Sequence, residues 1–163
     1  MTPAFDPLGA LRALVDHGVR FVLVGGLAGR VHGSPTVTND TDVCCARDAE
    51  NLERLASALR SLDARLRGVD DDVPFLLDAR TLAAGCNFTF TTSAGSLDVL
   101  GLPSGTAGYE DLAAGAERLD LGDGLVVDVV ALDDLIRMKR AAGRRKDLVE
   151  VEILLAVREE AGH

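Results

Sequence analysis

The chain reads as an α/β (α+β) domain, a mixed sheet flanked by helices and closed by further helices at its C-terminal end. Three observations predict this. Short apolar runs bounded by glycine, such as FVLVGG (21–26) and LVVDVVAL (125–132), have the length of buried strands. Between and around them, segments such as DAENLERLASALRSL (48–62) repeat their apolar residues at helical spacing. The 163 residues are enough for one domain with a sizeable core, here a core numbered 1–132 with C-terminal helices over 133–163.

Residues 6–18 place Leu8, Leu11, Leu14 and Val15 on one helical face that stops near Gly18. A strand over 20–24 follows, halted by Gly25-Gly26, then a short helix over 27–33 broken by Ser34-Pro35. The β-branched run VTNDTDVCC predicts a strand over 37–45. In the helix of 48–62, Asp48 is the N-cap and Leu52, Leu55, Ala56, Leu59 and Leu62 form the buried stripe. RGVDDDVPF (67–75) reads as an exposed acidic loop and LLDARTLAA (76–84) as a helical turn. NFTFTT (87–92) and SLDVLG (96–101), joined through Ser93-Ala94-Gly95, predict a hairpin. GYEDLAAGAERLDL (108–121) reads as a helix ending at Gly122-Asp123-Gly124, followed by a strand over 125–132. Two helices, 133–143 and 145–161, complete the chain; the first begins with acids and ends with bases, as the helix dipole prefers.

Composition narrows the function. A net charge of −9 argues against coating nucleic acid by bulk electrostatics, and no DNA partner is expected. Aromatics are only 4% of residues, too few for base-stacking platforms. One basic segment, RMKRAAGRRK (137–146), stands against the acidic background and suits a partner with a few phosphates. No apolar run approaches the roughly 20 residues needed to cross a bilayer, and the N-terminus lacks the pattern of a signal peptide. Cys44, Cys45 and Cys86 are odd in number and sit in apolar, strand-like settings, which fits free thiols in a cytoplasmic protein rather than a disulfide framework.

Asp40 and Asp42 carry the chemistry. Two positions apart on a strand, their side chains point the same way, roughly 6–7 Å apart. Like charges so placed repel unless a cation lies between them. Mg²⁺ takes oxygen donors and commonly uses one or two carboxylates plus substrate phosphates. Asp98 is a lone acid inside the apolar run LDVLG, where a structural reason for a charge is weak. A D-x-D pair alone is common and is usually solvated or capping. The upstream segment gives it weight, since a strand running into Gly25-Gly26 and a helix makes a cradle for phosphate. His32, between Val31 and Gly33, reads as a structural residue rather than a general base, and Ser34 has no triad partners.

VGG (24–26), thirteen residues, then Asp40-Thr41-Asp42-Val43 resembles the signature of the DNA polymerase β-type nucleotidyltransferase superfamily. With the later strand carrying Asp98 and the terminal segment from Leu132 to Leu154, the chain is similar to its AbiEii/MenT-like branch, whose members are often toxins of bacterial toxin–antitoxin systems. The resemblance implies a nucleotidyltransferase-like fold and a Mg²⁺- or Mn²⁺-dependent enzyme. It would move a nucleoside monophosphate from an NTP to a hydroxyl of a tRNA, a protein or a small molecule, with a cognate antitoxin as a further partner. It implies Asp40, Asp42 and Asp98 as metal ligands, with Asp98 also activating the acceptor. It places the NTP at Gly25 and Gly26 with Ser34 nearby, sets Lys139 and Lys146 against its phosphates, and has Asp147 orient one of these lysines. Many relatives carry Arg where this chain has Asn39, which removes one phosphate contact. The alternative is a non-catalytic nucleotide-binding or protein-interaction module on the same fold.

Overall fold

A computed structural model describes residues 4–69 and 75–162. In chain order the elements are α1 (Pro7–Asp16), β1 (Phe21–Val24), α2 (Gly25–Val31), β2 (Asp40–Cys45), α3 (Ala49–Ser61), β3 (Arg65–Leu66), α4 (Ala79–Ala84), β4 (Asn87–Thr92), β5 (Gly95–Leu100), α5 (Tyr109–Gly115), β6 (Glu117–Asp120), β7 (Val126–Val129), α6 (Leu132–Ala142) and α7 (Arg145–Ala161). Among the described residues, seven strands form one mixed sheet in the order β3-β4-β5-β2-β1-β7-β6. β2 runs parallel to β5 and antiparallel to β1, while β1 runs parallel to β7.

Alternation along the central strands separates two faces. On β5, Leu97 and Val99 are buried while Ser96, Asp98 and Leu100 are partly open. On β2, Thr41, Val43 and Cys45 are buried, and Asp40 and Asp42 share the other, more open face. The buried side packs against α3, whose Leu52, Leu55, Ala56 and Leu59 are almost fully covered, as the periodicity predicts. A fully buried leucine of this kind contributes about 2–3 kcal/mol, so this face anchors the sheet. Asp48 caps α3 by accepting from the Asn51 N–H at 3.3 Å. Asn51 in turn bridges Arg20 and Ala46, tying α3 to both central strands.

Three expectations are corrected, and one short strand is added. β2 starts at Asp40 rather than residue 37, and Val37 is 78% exposed. The helix expected over 108–121 stops at Gly115, and Glu117–Asp120 become β6, paired antiparallel with β7. The backbone hydrogen bonds offered by the edge of β7 outweigh the helical tendency of a four-residue polar stretch. Arg65-Leu66, just before the expected acidic loop, form the short edge strand β3 against Thr91 and Phe90; most of that loop, 70–74, lies outside the described residues. Cys86 is exposed, whereas Cys44 and Cys45 are buried. The hairpin holds, with Thr92 opposite Gly95 and Ser93-Ala94 as its two-residue turn. No helix of the described residues is long and apolar enough to cross a membrane.

Candidate active site

Strand register brings the acids together. Asp42 lies directly opposite Asp98 on parallel neighbours β2 and β5, and Asp40 lies two residues back on the same face. The close pairing shows in Asp42, whose carboxyl is pushed from an ordinary 3.8 up to about 7. Burial is the largest cause, followed by the negative charge of Asp98, a hydrogen bond with it, and the charge of Asp40; Lys139 opposes the rise. A carboxylate so crowded by its own kind is poised to accept a cation.

The glycine turn touches the same acid. β1 passes directly into α2 because Gly25 adopts φ +69, a conformation that disfavours any side chain. A Cβ there would overlap Asp42 Oδ2 and lie 2.8 Å from its Cγ. At Gly26 a Cβ would come within 2.8 Å of Thr38 Cβ. Both glycines therefore allow backbone to pass against the strand that carries the acids. α2 has no side-chain cap at its first turn.

The corner between α6 and α7 supplies positive charge. Gly143, at φ +67, ends α6, and α7 begins two residues later. Asp147 is buried at 1% exposure. It accepts from Arg144 Nε at 2.6 Å and stands 3.6 Å from Lys139 Nζ. Burial works against its charge, yet the hydrogen bond and charge of Arg144 and the charge of Lys139 hold it below the usual carboxylate range. Asp42 is close enough for its charge to act on Arg144 as well. Lys139 and Arg144 thus bring positive charge to bear on Asp42 from a braced corner, while Lys146 lies exposed on the first turn of α7.

Ser34 is bonded to a different acid. It is 4% exposed and donates its hydroxyl to Glu150 Oε1 at 2.7 Å; Thr36 Oγ1 donates to Glu150 Oε2 at the same distance. These bonds fasten the segment before β2 to α7. His32 joins the same structural layer, its Nε2 at 2.7 Å from the Val130 carbonyl.

Two residues escape the sequence reading. Arg144 was legible only as one base in a run. Arg67, just past β3, forms a tight ion pair with Asp98 and lies 3.6 Å from Asp40 Oδ1. Nothing in its local pattern distinguishes it from a solvated arginine. As they stand, no three His, Cys, Asp or Glu side chains of the described residues form a ready metal-holding group. The donor set nevertheless fits a hard divalent ion: carboxylate oxygens only, converging from adjacent strands, with the repulsion among them recorded in Asp42. The guanidinium of Arg67 fills part of that role.

No protein-family model matches the chain, and no curated protein does. Solved structures do. The lincosamide antibiotic adenylyltransferase LnuA, with lincomycin bound, superposes with a TM-score of 0.59 at 12% identity, over 93% of this chain and 96% of that one. The antibiotic-resistance factor ANT(2'')-Ia gives 0.56 at 12% identity over 91% and 82%. A Thermotoga maritima protein assigned as a nucleotidyltransferase gives 0.53 at 15% identity over 95% and 92%. At such identities the likeness is one of fold, and the chain has the nucleotidyltransferase fold.

Proposed function

We propose that the chain is a divalent-metal-dependent nucleotidyltransferase that transfers a nucleoside monophosphate from an NTP to a hydroxyl of a small-molecule acceptor. The observation that carries this reading is the register of Asp42 against Asp98, with Asp40 alongside, next to the Gly25-Gly26 turn. In this reading Asp40, Asp42 and Asp98 hold Mg²⁺ or Mn²⁺, which supplies Lewis-acid stabilisation of charge on the transferring phosphoryl group. The Gly25-Gly26 backbone and the cations Lys139, Arg144 and Lys146 receive the triphosphate. Asp147 positions Lys139 and Arg144. Ser34 serves through Glu150, by fixing the segment that leads into Asp40. Asp98 takes the proton of the acceptor hydroxyl as its oxygen bonds to the α-phosphorus and pyrophosphate departs.

A small acceptor is favoured over tRNA or protein by the net charge of −9 and by the lincomycin-bound neighbour. The test incubates the protein with Mg²⁺, α- or γ-labelled NTPs, and separate panels of hydroxylated antibiotics, RNA and protein. Label is expected to pass from α-labelled but not γ-labelled NTP to a small molecule, and to be lost in Asp42→Asn. Metal-dependent NTP binding with no transfer to any panel would instead establish the non-catalytic module. Membership of the toxin branch rests on the terminal segment, and growth arrest on expression, relieved by Asp42→Ala, is its test; harmless expression of the wild type contradicts it.

A further inference from the structure

The charge balance of the three acids is uneven. The charges of Lys139 and Arg144 act on Asp42 from the α6–α7 corner, but both side chains are held by Asp147. Asp98 and Asp40 have a different partner, the guanidinium of Arg67, which spans the two strands that carry them. That guanidinium therefore occupies the side of the cluster where carboxylate oxygens would otherwise meet an ion.

Its seating has the marks of a displaceable one. Arg67 Nε is buried without a hydrogen-bond partner among the described residues, so part of the fork is wasted in this pose. The side chain is 35% exposed, leaving a route outward. It follows directly on a two-residue edge strand, and the backbone is secured to β4 by Arg65, Leu66 and the bond from Arg67 N–H to Thr89 O at 2.9 Å. Gly68 follows, at φ +75, with nothing among the described residues within 4 Å of where a side chain would start. Thus the backbone is fixed and the side chain has somewhere to go.

We infer that Arg67 is an internal competitor of the divalent ion: it neutralises Asp98 and Asp40 while the ion is absent and must leave them when the ion binds. This rests on the metal site proposed above. A guanidinium and a compact dication seek the same oxygens, and only one can sit between them. Ion affinity is then reduced by the fraction of molecules in which Arg67 holds the acids. The consequence is a raised threshold for free metal. An incoming metal–triphosphate complex lowers it, because its phosphates offer the released guanidinium a second partner.

Mn²⁺ binding to chelator-treated wild type, Arg67→Gln, Arg67→Lys and Asp42→Asn, followed by the paramagnetic resonance of free Mn²⁺, tests this alongside thermal melts with and without the ion. Arg67→Gln is expected to bind Mn²⁺ about tenfold tighter than wild type, the scale of freeing a small population of competent sites. Without the ion it melts below wild type, and saturating Mn²⁺ closes that gap. Arg67→Lys, which keeps the charge but loses the fork, falls between and serves if Arg67→Gln does not fold. Equal or weaker Mn²⁺ binding by the folded Arg67 variants, or a melting gap that the ion leaves unchanged, overturns the competition and leaves the metal site standing. Equal binding by Asp42→Asn and wild type overturns the metal site itself.

Discussion

The two flanks of the acidic cluster handle positive charge in opposite ways. On the α6–α7 flank, buried Asp147 braces Lys139 and Arg144, so their charge is aimed toward Asp42 but anchored elsewhere. On the β3 flank, Arg67 pairs with the site acids themselves. The first arrangement presents charge to a ligand, and the second consumes it until a ligand arrives. A buried acid outside the cluster is the difference. It lets cations stand near carboxylates without closing onto them.

That contrast breaks most sharply at Asp42. Asp42→Asn should lower NMP transfer by roughly 10³-fold or more, the scale at which removal of a preorganised charge acts on a transition state. The same change should stabilise the metal-free protein. Because the folded carboxyl is raised from 3.8 to about 7, the folded state binds more protons than the unfolded one within that window, so metal-free stability falls as pH rises from about 4 to about 7. Chemical denaturation in chelator across this range should show a loss of up to about 4 kcal/mol in wild type, absent in Asp42→Asn. A flat wild-type profile would show that neither burial nor the neighbouring acids hold the Asp42 carboxyl up.

Gly25→Ala comes next. Positive φ and the overlap with Asp42 combine, and a loss of about 1–3 kcal/mol is expected in equilibrium unfolding, with weaker NTP binding from the displaced carboxylate. Asp147→Ala sharpens the comparison between flanks. Released from their brace, Lys139 and Arg144 are free to close onto Asp42, and KM for NTP should rise about tenfold with stability down by about 1–2 kcal/mol, since both cations retain some solvent. Unchanged KM would mean that the corner does not serve the triphosphate. Ser34→Ala has the smallest effect on chemistry: about 1–2 kcal/mol of stability from two lost bonds, one to buried Glu150 and one from the Thr36 N–H, with KM for NTP nearly unchanged. A large KM effect without loss of stability would place Ser34 at the nucleotide after all.

The long periodic elements were legible because their own residues determine them. α3 carries its cap and its apolar stripe in fourteen consecutive residues from Asp48 to Ser61, and Asp98 stands out in β5 as a lone acid inside the run LDVLG. The edge strands were not, because β3 and β6 draw their order from the backbone of β4 and β7 rather than from a pattern of their own. The same division runs through the site. Asp40, Asp42 and the glycines follow from local spacing. Arg67 acts across 31 positions of sequence to reach Asp98, and Ser34 finds Glu150 across 116; neither partnership leaves a trace in the neighbouring residues.

The central claim is that three carboxylates hold a divalent ion for a triphosphate. Calorimetric titration of a non-hydrolysable NTP analogue, with and without Mn²⁺, into wild type and Asp42→Asn measures it directly. Binding by wild type in the presence of the ion, lost on chelation and lost in Asp42→Asn, is the predicted result. Equal affinity with and without Mn²⁺, undiminished in Asp42→Asn, would contradict it.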